Sequence, residues 1–203
     1  DASRSSRMEE VDTGVVPLFT KDADVSDLAL SSCPGLGIDL WELSRSRYGE
    51  GAAEHGLVGP FRKVRIGHAA DPDLRRRSSS GGILTAVVLY LLETGRVDAA
   101  VLVRQDWPEP GKARVVIAET PEDVVACAQS VYIPVSVLDI LRELEPGKRY
   151  VMSCLPDQAA ALRRMQLGGF AAARRVRYVV GPYTGTALEP AAIRSFLEWM
   201  GVA

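Results

Sequence analysis

The sequence predicts an α/β domain whose sheet is mixed and largely parallel, with helices on both faces. Three observations carry this. Apolar runs of strand length, such as Ala99-Ala100-Val101-Leu102-Val103, alternate with helical apolar patterns from residue 61 onward. Helix-start signals recur between them, as in Thr120-Pro121-Glu122-Asp123. No internal repeat or low-complexity tract interrupts the alternation.

Residues 1–32 read as an irregular lead-in, and residues 33–203 as the domain. The tail Asp1–Arg7 ahead of Met8 is left out of the fold. Cys33–Ile38 is turn-rich. Asp39 caps a short helix that ends near Tyr48-Gly49, and Glu50–Gly59 is a glycine-rich connection. Phe61–Ala69 alternates Val64 and Ile66 with Lys63 and Arg65, the pattern of a strand. A helix follows over Gly81–Thr94, with Gly95 as its stop. Strands are predicted over Asp98–Arg104 and Ala113–Ala118, with a loop through Trp107-Pro108-Glu109-Pro110-Gly111. Helices then start at Thr120 and run over Val135–Leu144 and Asp157–Met165. The remaining strands are Arg149–Ser153 and Arg177–Val180, and an amphipathic helix over Glu189–Met200 closes the pattern. In such a fold the crevice lies at the C-terminal ends of the strands, where the loops at 104–111, 153–158 and 181–187 converge.

The 203 residues suffice for one good core, and the apolar share of 47% and charged share of 25% are ordinary for a globular chain. A net charge of −2 gives no reason to expect a nucleic acid or membrane partner. No apolar run reaches membrane-spanning length, and the polar first ten residues do not read as a signal peptide. Cys33, Cys127 and Cys154 have neither metal-ligand spacing nor an even count, so reduced thiols and a cytoplasmic location are expected.

The most informative stretch is Arg75-Arg76-Arg77-Ser78-Ser79-Ser80-Gly81-Gly82 ahead of an almost wholly apolar helix. Unpaired N–H groups at a helix start, glycines that admit close approach and nearby arginines suit a phosphate or pyrophosphate. The same residues also serve as a serine N-cap and a tight turn, and spacing alone does not separate the two.

Five segments, in order, resemble the beta-subunit family of coenzyme F420 (deazaflavin) hydrogenases and dehydrogenases. They are Cys33–Ile38; Gly67–Arg75 with Ser79–Gly82; Gly95–Val101; Ala118–Asp123 with Ala128–Pro134; and Leu155–Arg163. The resemblance spans roughly residues 30–203. It implies a flavin, usually FAD, in an α/β domain, supplied with electrons by iron–sulfur clusters. It implies flavin contacts at Arg75, Ser79, Ser80, Gly81, Gly82, Gln129, Ser130, Tyr132 and Pro156.

The sequence also departs from the family pattern. Pro-Cys is Pro156-Asp157 here, the cysteine after Gly-Leu-Phe is replaced in Gly181–Gly185, and Val131 stands where a lysine is frequent. The N-terminal ferredoxin-like cysteines and the cysteine-bearing C-terminal half are absent from this sequence. Cluster ligation typically needs four thiolates, so three scattered cysteines predict no iron–sulfur cluster and no other metal site.

The leading expectation is therefore a flavin-binding oxidoreductase domain or subunit. It would transfer hydride between flavin and an organic substrate, or a deazaflavin or nicotinamide donor. The alternatives are a scaffolding subunit that completes a larger enzyme and a flavin-free enzyme using the same crevice. A small-molecule substrate and a second subunit or homo-oligomer are the expected partners. His68, at a predicted strand end before the serine-glycine turn, and Asp157, at a strand-to-helix junction, are the candidate catalytic groups. Each also has a structural reading, as a hydrogen-bonded histidine and a helix N-cap. Trp107 is the tryptophan expected in a loop able to cover a ring. The arginines Arg163, Arg164, Arg174, Arg175 and Arg177 read first as solvated helix ends, and second as a surface for a polyanion.

Overall fold

Four strands form the central sheet: β5 (Ala99–Gln105), β6 (Ala113–Ala118), β7 (Tyr150–Ser153) and β8 (Val176–Val180), in the order β6-β5-β7-β8. β6 is antiparallel to β5, while β5, β7 and β8 run parallel. The expected mixed, largely parallel sheet is therefore present. The computed structural model describes residues 6–11, 14–19, 27–105, 112–184 and 188–201; Trp107 and the loop around it lie outside the described residues.

Alternation along the central strands builds two cores. Ala100, Leu102, Ala118 and Val151 face α4 (Ile83–Glu93) and α5 (Pro121–Ala126), where Val88, Leu91 and Val124 are buried. Ala99, Val101, Tyr150, Met152 and Val176 face the other way. They meet a 3-10 segment (Val137–Arg142), α6 (Pro156–Leu167) and α7 (Ala171–Arg174). Helices thus cover both faces. Residues 99–103 of β5 and 150–152 of β7 are all apolar because both faces of the sheet are covered there. Full burial of a side chain such as Val88 or Leu162 contributes about 1.5–3 kcal/mol.

Local chemistry sets the element ends. Thr120 caps α5 reciprocally: its hydroxyl accepts from the Asp123 N–H, and the Asp123 carboxylate accepts from the Thr120 N–H. Asp39 accepts from the Glu42 N–H at 2.8 Å and starts α2 (Leu40–Tyr48). Asp98 receives the Arg149 backbone N–H at 2.7 Å and two guanidinium N–H groups at 3.0 and 2.8 Å. That fork ties the starts of β5 and β7 together.

Several elements differ from the sequence reading. Within residues 1–32 the backbone pairs β1 (Ser6–Val11) with β2 (Gly14–Phe19), and α1 (Asp27–Ser32) packs on α6. Residues 53–61 form a small hairpin, β3 (Ala53–His55) with β4 (Gly59–Phe61). Beyond Phe61, residues 62–69 carry no regular secondary structure and join no sheet, and Val64 and Ile66 are exposed at 64% and 102%. Their alternation mimics a strand, yet the segment pairs with none of the four central strands. The predicted helix over Val135–Leu144 is the tighter 3-10 form. At α6 the N-cap position is Leu155, not Asp157. Pro156 opens the helix, and Gln158 Oε1 accepts from the Leu155 N–H at 3.0 Å, which leaves Asp157 exposed in the first turn.

Candidate functional site

The serine-glycine bend is built from a short helix stopped on purpose. Asp71 caps α3 (Pro72–Arg77), its carboxylate accepting from the N–H groups of Asp73 at 2.8 Å and Leu74 at 3.3 Å. Ser78 ends it, with both its N–H and its Oγ donating to the Leu74 carbonyl. The chain then turns through Ser79 and Ser80 to Gly81 and Gly82. Gly82 adopts φ +75°, which an L side chain resists, and occupies the N-cap position of α4.

The two glycines are needed for protein-to-protein packing. The Gly81 carbonyl accepts from the Ala69 N–H at 2.7 Å. A Cβ on Gly82 would sit 3.1 Å from both Ala69 Cβ and Ser78 Oγ, and one on Gly81 would meet Gly67 and His68 at 3.4 Å. Residues 67–69 therefore lie directly against the bend. The N-cap is a glycine, not a serine, because the three serines lie upstream of the left-handed turn.

Ser79 has a long-range role. Its Oγ accepts from the Ser130 N–H at 2.8 Å, joining positions 51 residues apart. This draws the loop after α5 up to the bend. In that loop Cys127, Ala128 and Gln129 are folded by successive tight backbone bonds.

Beside this junction opens a cleft of about 490 Å³. Its polar wall consists of Arg77 from the end of α3, Arg104 and Gln105 at the C-terminal end of β5, Arg114 on β6, and Gln129; Cys127 and Val131 complete one side. Arg104 and Arg114 are direct partners in the β5–β6 register. The register thus places two guanidinium side chains side by side at this end of the sheet. Burial pushes the Cys127 thiol up, while the Arg104 and Arg114 charges pull it back. Guanidinium forks match phosphate oxygens two at a time, so this wall is chemically suited to a phosphate or diphosphate.

The structure distributes the predicted site residues unevenly. Gln129 lines the cleft; Ser130, bonded to Ser79, sits in sequence between the lining residues Gln129 and Val131, and neither serine lines the cleft itself. Gly81 and Gly82 form the floor of the bend, and Ser80 is exposed beside them. Arg75, Tyr132 and Pro156 are exposed and do not line the cleft. Tyr132 is held through its backbone carbonyl, which accepts from the Leu188 N–H. His68 is exposed, with Nδ1 donating to the Ala69 carbonyl at 2.8 Å; neither it nor Asp157 lines the cleft. Arg104, Gln105 and Arg114 were not singled out from the sequence. The available signal was a basic residue ending β5 and another starting β6, at the edge where a crevice is expected. Among the described residues, no three His, Cys, Asp or Glu side chains gather where a metal ion could be held. No helix among them is long and apolar enough to cross a membrane.

Residues 64–142 match the family described as coenzyme F420 hydrogenase/dehydrogenase, beta subunit N-term. The chain is 35% identical over 88 residues to a coenzyme F420-dependent sulfite reductase of Methanocaldococcus jannaschii, covering 42% of this chain and 14% of that protein. Its fold is similar to a chain of the F420-reducing [NiFe] hydrogenase complex of Methanosarcina barkeri, with a TM-score of 0.59 and 22% identity, covering 64% of this chain and 47% of that one. The sequence thus spans a minor part of the reductase and just under half of the hydrogenase chain. The matched segment runs from the irregular residues before the bend through the whole cleft to the 3-10 segment. Residues 64–142, which carry the bend and the cleft, are thus similar to the N-terminal region of coenzyme F420 hydrogenase/dehydrogenase beta subunits.

Proposed function

We propose that this chain is the flavin-holding part of an oxidoreductase, with FAD seated so that its diphosphate lies between Arg77, Arg104 and Arg114. One observation carries the reading: the Ser130–Ser79 bond joins two segments of the family domain at the rim of a cleft whose wall holds three arginines. The residues fit the group. A dinucleotide diphosphate brings charge and several acceptor oxygens, and the cleft offers three guanidinium groups with Gln105 and Gln129 beside them.

Bound FAD supplies the ring that accepts or releases hydride. The chain's own residues bind and orient. Arg104 and Arg114, fixed on paired strands, hold the diphosphate, and Arg77 closes the side nearest the bend. The Ser79–Ser130 bond keeps Gln129 at the cleft. His68 commits Nδ1 to the Ala69 carbonyl and leaves Nε2 to give or take a proton. Asp157 lies just beyond the C-terminal end of β7, the same sheet edge as Arg104, where its carboxylate suits an ionic contact with substrate. The names of the sulfite reductase and the hydrogenase complex favour a deazaflavin as redox partner. A second subunit or second copy would cover the apolar side of α8 (Pro190–Trp199), where Phe196 and Trp199 are exposed at 56% and 81%.

The test is a visible spectrum of the purified chain, followed by titration with FAD. Flavin absorbance that is released as FAD on denaturation, or saturable uptake of added FAD, is expected. A colourless chain that takes up no added FAD overturns the proposal.

A further inference from the structure

A second basic pocket lies at the opposite end of the sheet. Arg47 from α2, Arg163 from α6, Arg174 at the end of α7 and Arg177 near the start of β8 line a pocket of about 390 Å³. β5, β7 and β8 are parallel, so the first residues of β8 mark the end of the sheet away from Arg104. The pocket is therefore separate from the proposed flavin cleft.

The arrangement is built. Gln166 is the hub: its Nε2 donates to the carbonyls of Ala173 and Val176, both at 2.9 Å. Its Oε1 accepts from Arg163 Nη1 at 2.6 Å, and its backbone carbonyl accepts from Arg174 Nε at 3.3 Å. Two guanidinium groups are thus aimed by one fixed residue. Arg163 is half-buried, and both its burial and the neighbouring Arg47 charge disfavour its ionised form. The other arginines of the same stretch are used differently. Arg164 donates to the carbonyls of Cys33 and Gly37, and Arg175 donates to that of Leu144. Arg149, elsewhere, pairs with Asp98. Among the described residues, no carboxylate pairs with Arg47, Arg163, Arg174 or Arg177. Four arginines from four elements thus converge on one pocket, with no carboxylate paired to them among the described residues.

We propose that this pocket is a binding site for a small molecule carrying a diphosphate group, distinct from the flavin cleft. Four forked donors exceed what a single carboxylate can accept, whereas the terminal oxygens of a diphosphate can engage all four. Inorganic pyrophosphate and a nucleoside diphosphate share this chemistry, and the pocket's apolar residues Leu43 and Leu167 offer a surface to a nucleoside.

The experiment is calorimetric titration of the full chain with pyrophosphate, ADP and citrate. Saturable pyrophosphate binding is expected, with about tenfold or greater loss of affinity in R163Q and in R174Q, and retention in a R77Q/R104Q variant. Because Arg163 is half-buried, R47Q and R174Q, both at exposed positions, give the same reading if R163Q does not fold. Tighter binding of ADP identifies a nucleotide, and equal binding identifies the diphosphate alone; either supports the site. Absence of pyrophosphate binding, binding unchanged in R47Q and R174Q, or citrate binding as tight as pyrophosphate overturns it. Loss only in R77Q/R104Q would likewise overturn it and would leave the flavin proposal standing.

Discussion

The Ser130 N–H donates to Ser79 Oγ at 2.8 Å, and this bond links the serine-glycine bend to the loop after α5. It is side chain to backbone, so removal of the hydroxyl leaves an amide to find water or stay unpaired. Ser79→Ala should cost about 1 kcal/mol in urea unfolding and weaken FAD uptake through displacement of Gln129. Unchanged stability together with unchanged FAD affinity would show that the junction positions nothing.

Gly82→Ala tests the bend itself. The new Cβ would meet Ala69 Cβ and Ser78 Oγ at 3.1 Å on a backbone with φ +75°. A destabilisation of about 1–3 kcal/mol is expected. Gly181→Ala makes a sharper collision, with its Cβ 2.5 Å from the Cys154 carbonyl oxygen, and should also unfold at lower urea than wild type. Wild-type midpoints in both variants would contradict the described backbone.

This bend shows what the sequence conveys and what it hides. Capping and periodicity placed α2, α4, α5, β5 and β6 closely, because Asp39, Thr120-Pro121 and Gly95 act through neighbouring residues. The segment around Val64 and Ile66 has the alternation of a strand but pairs with no strand, and only tertiary structure reveals that. In sequence Gly81-Gly82 fits a ligand cradle and a tight turn equally, and only the fold shows that Ala69 and Ser78 lie against Gly82. The arginine cleft depends on the β5–β6 register and on the 51-residue reach of Ser79 to Ser130, neither of which a linear pattern encodes.

Asp98 is held at about 2, below its ordinary 3.8, by hydrogen bonds from the Arg149 side chain and backbone. Its folded value lies below the unfolded one, so the stabilisation is present above the unfolded pKa and is lost as pH falls through the folded pKa. Wild type should therefore exceed Asp98→Asn in urea midpoint at neutral pH. The gap should close between about pH 4 and about pH 2. A gap that stays constant across that window would show that the fork is not responsible.

The thiols should react in an order set by burial. Cys33 is exposed, Cys127 is half-buried, and Cys154 is 2% exposed with its thiol pushed up to about 12 by burial. A thiol-specific colour reagent at mild alkaline pH should label Cys33 fast, Cys127 slowly and Cys154 only after denaturant is added. Rapid labelling of Cys154 in the folded chain would contradict its placement between β7 and α6.

The central claim is that the arginine cleft holds the FAD diphosphate, and a fluorescence titration of FAD into wild type and Arg104→Gln tests it most directly. The substitution removes one of two like charges that face each other, so stability without FAD should stay within about 0.5 kcal/mol of wild type. FAD affinity should fall about tenfold or more, and added salt should weaken wild type more than the variant. Equal FAD affinity in the two proteins, at low and at high salt, would contradict the account.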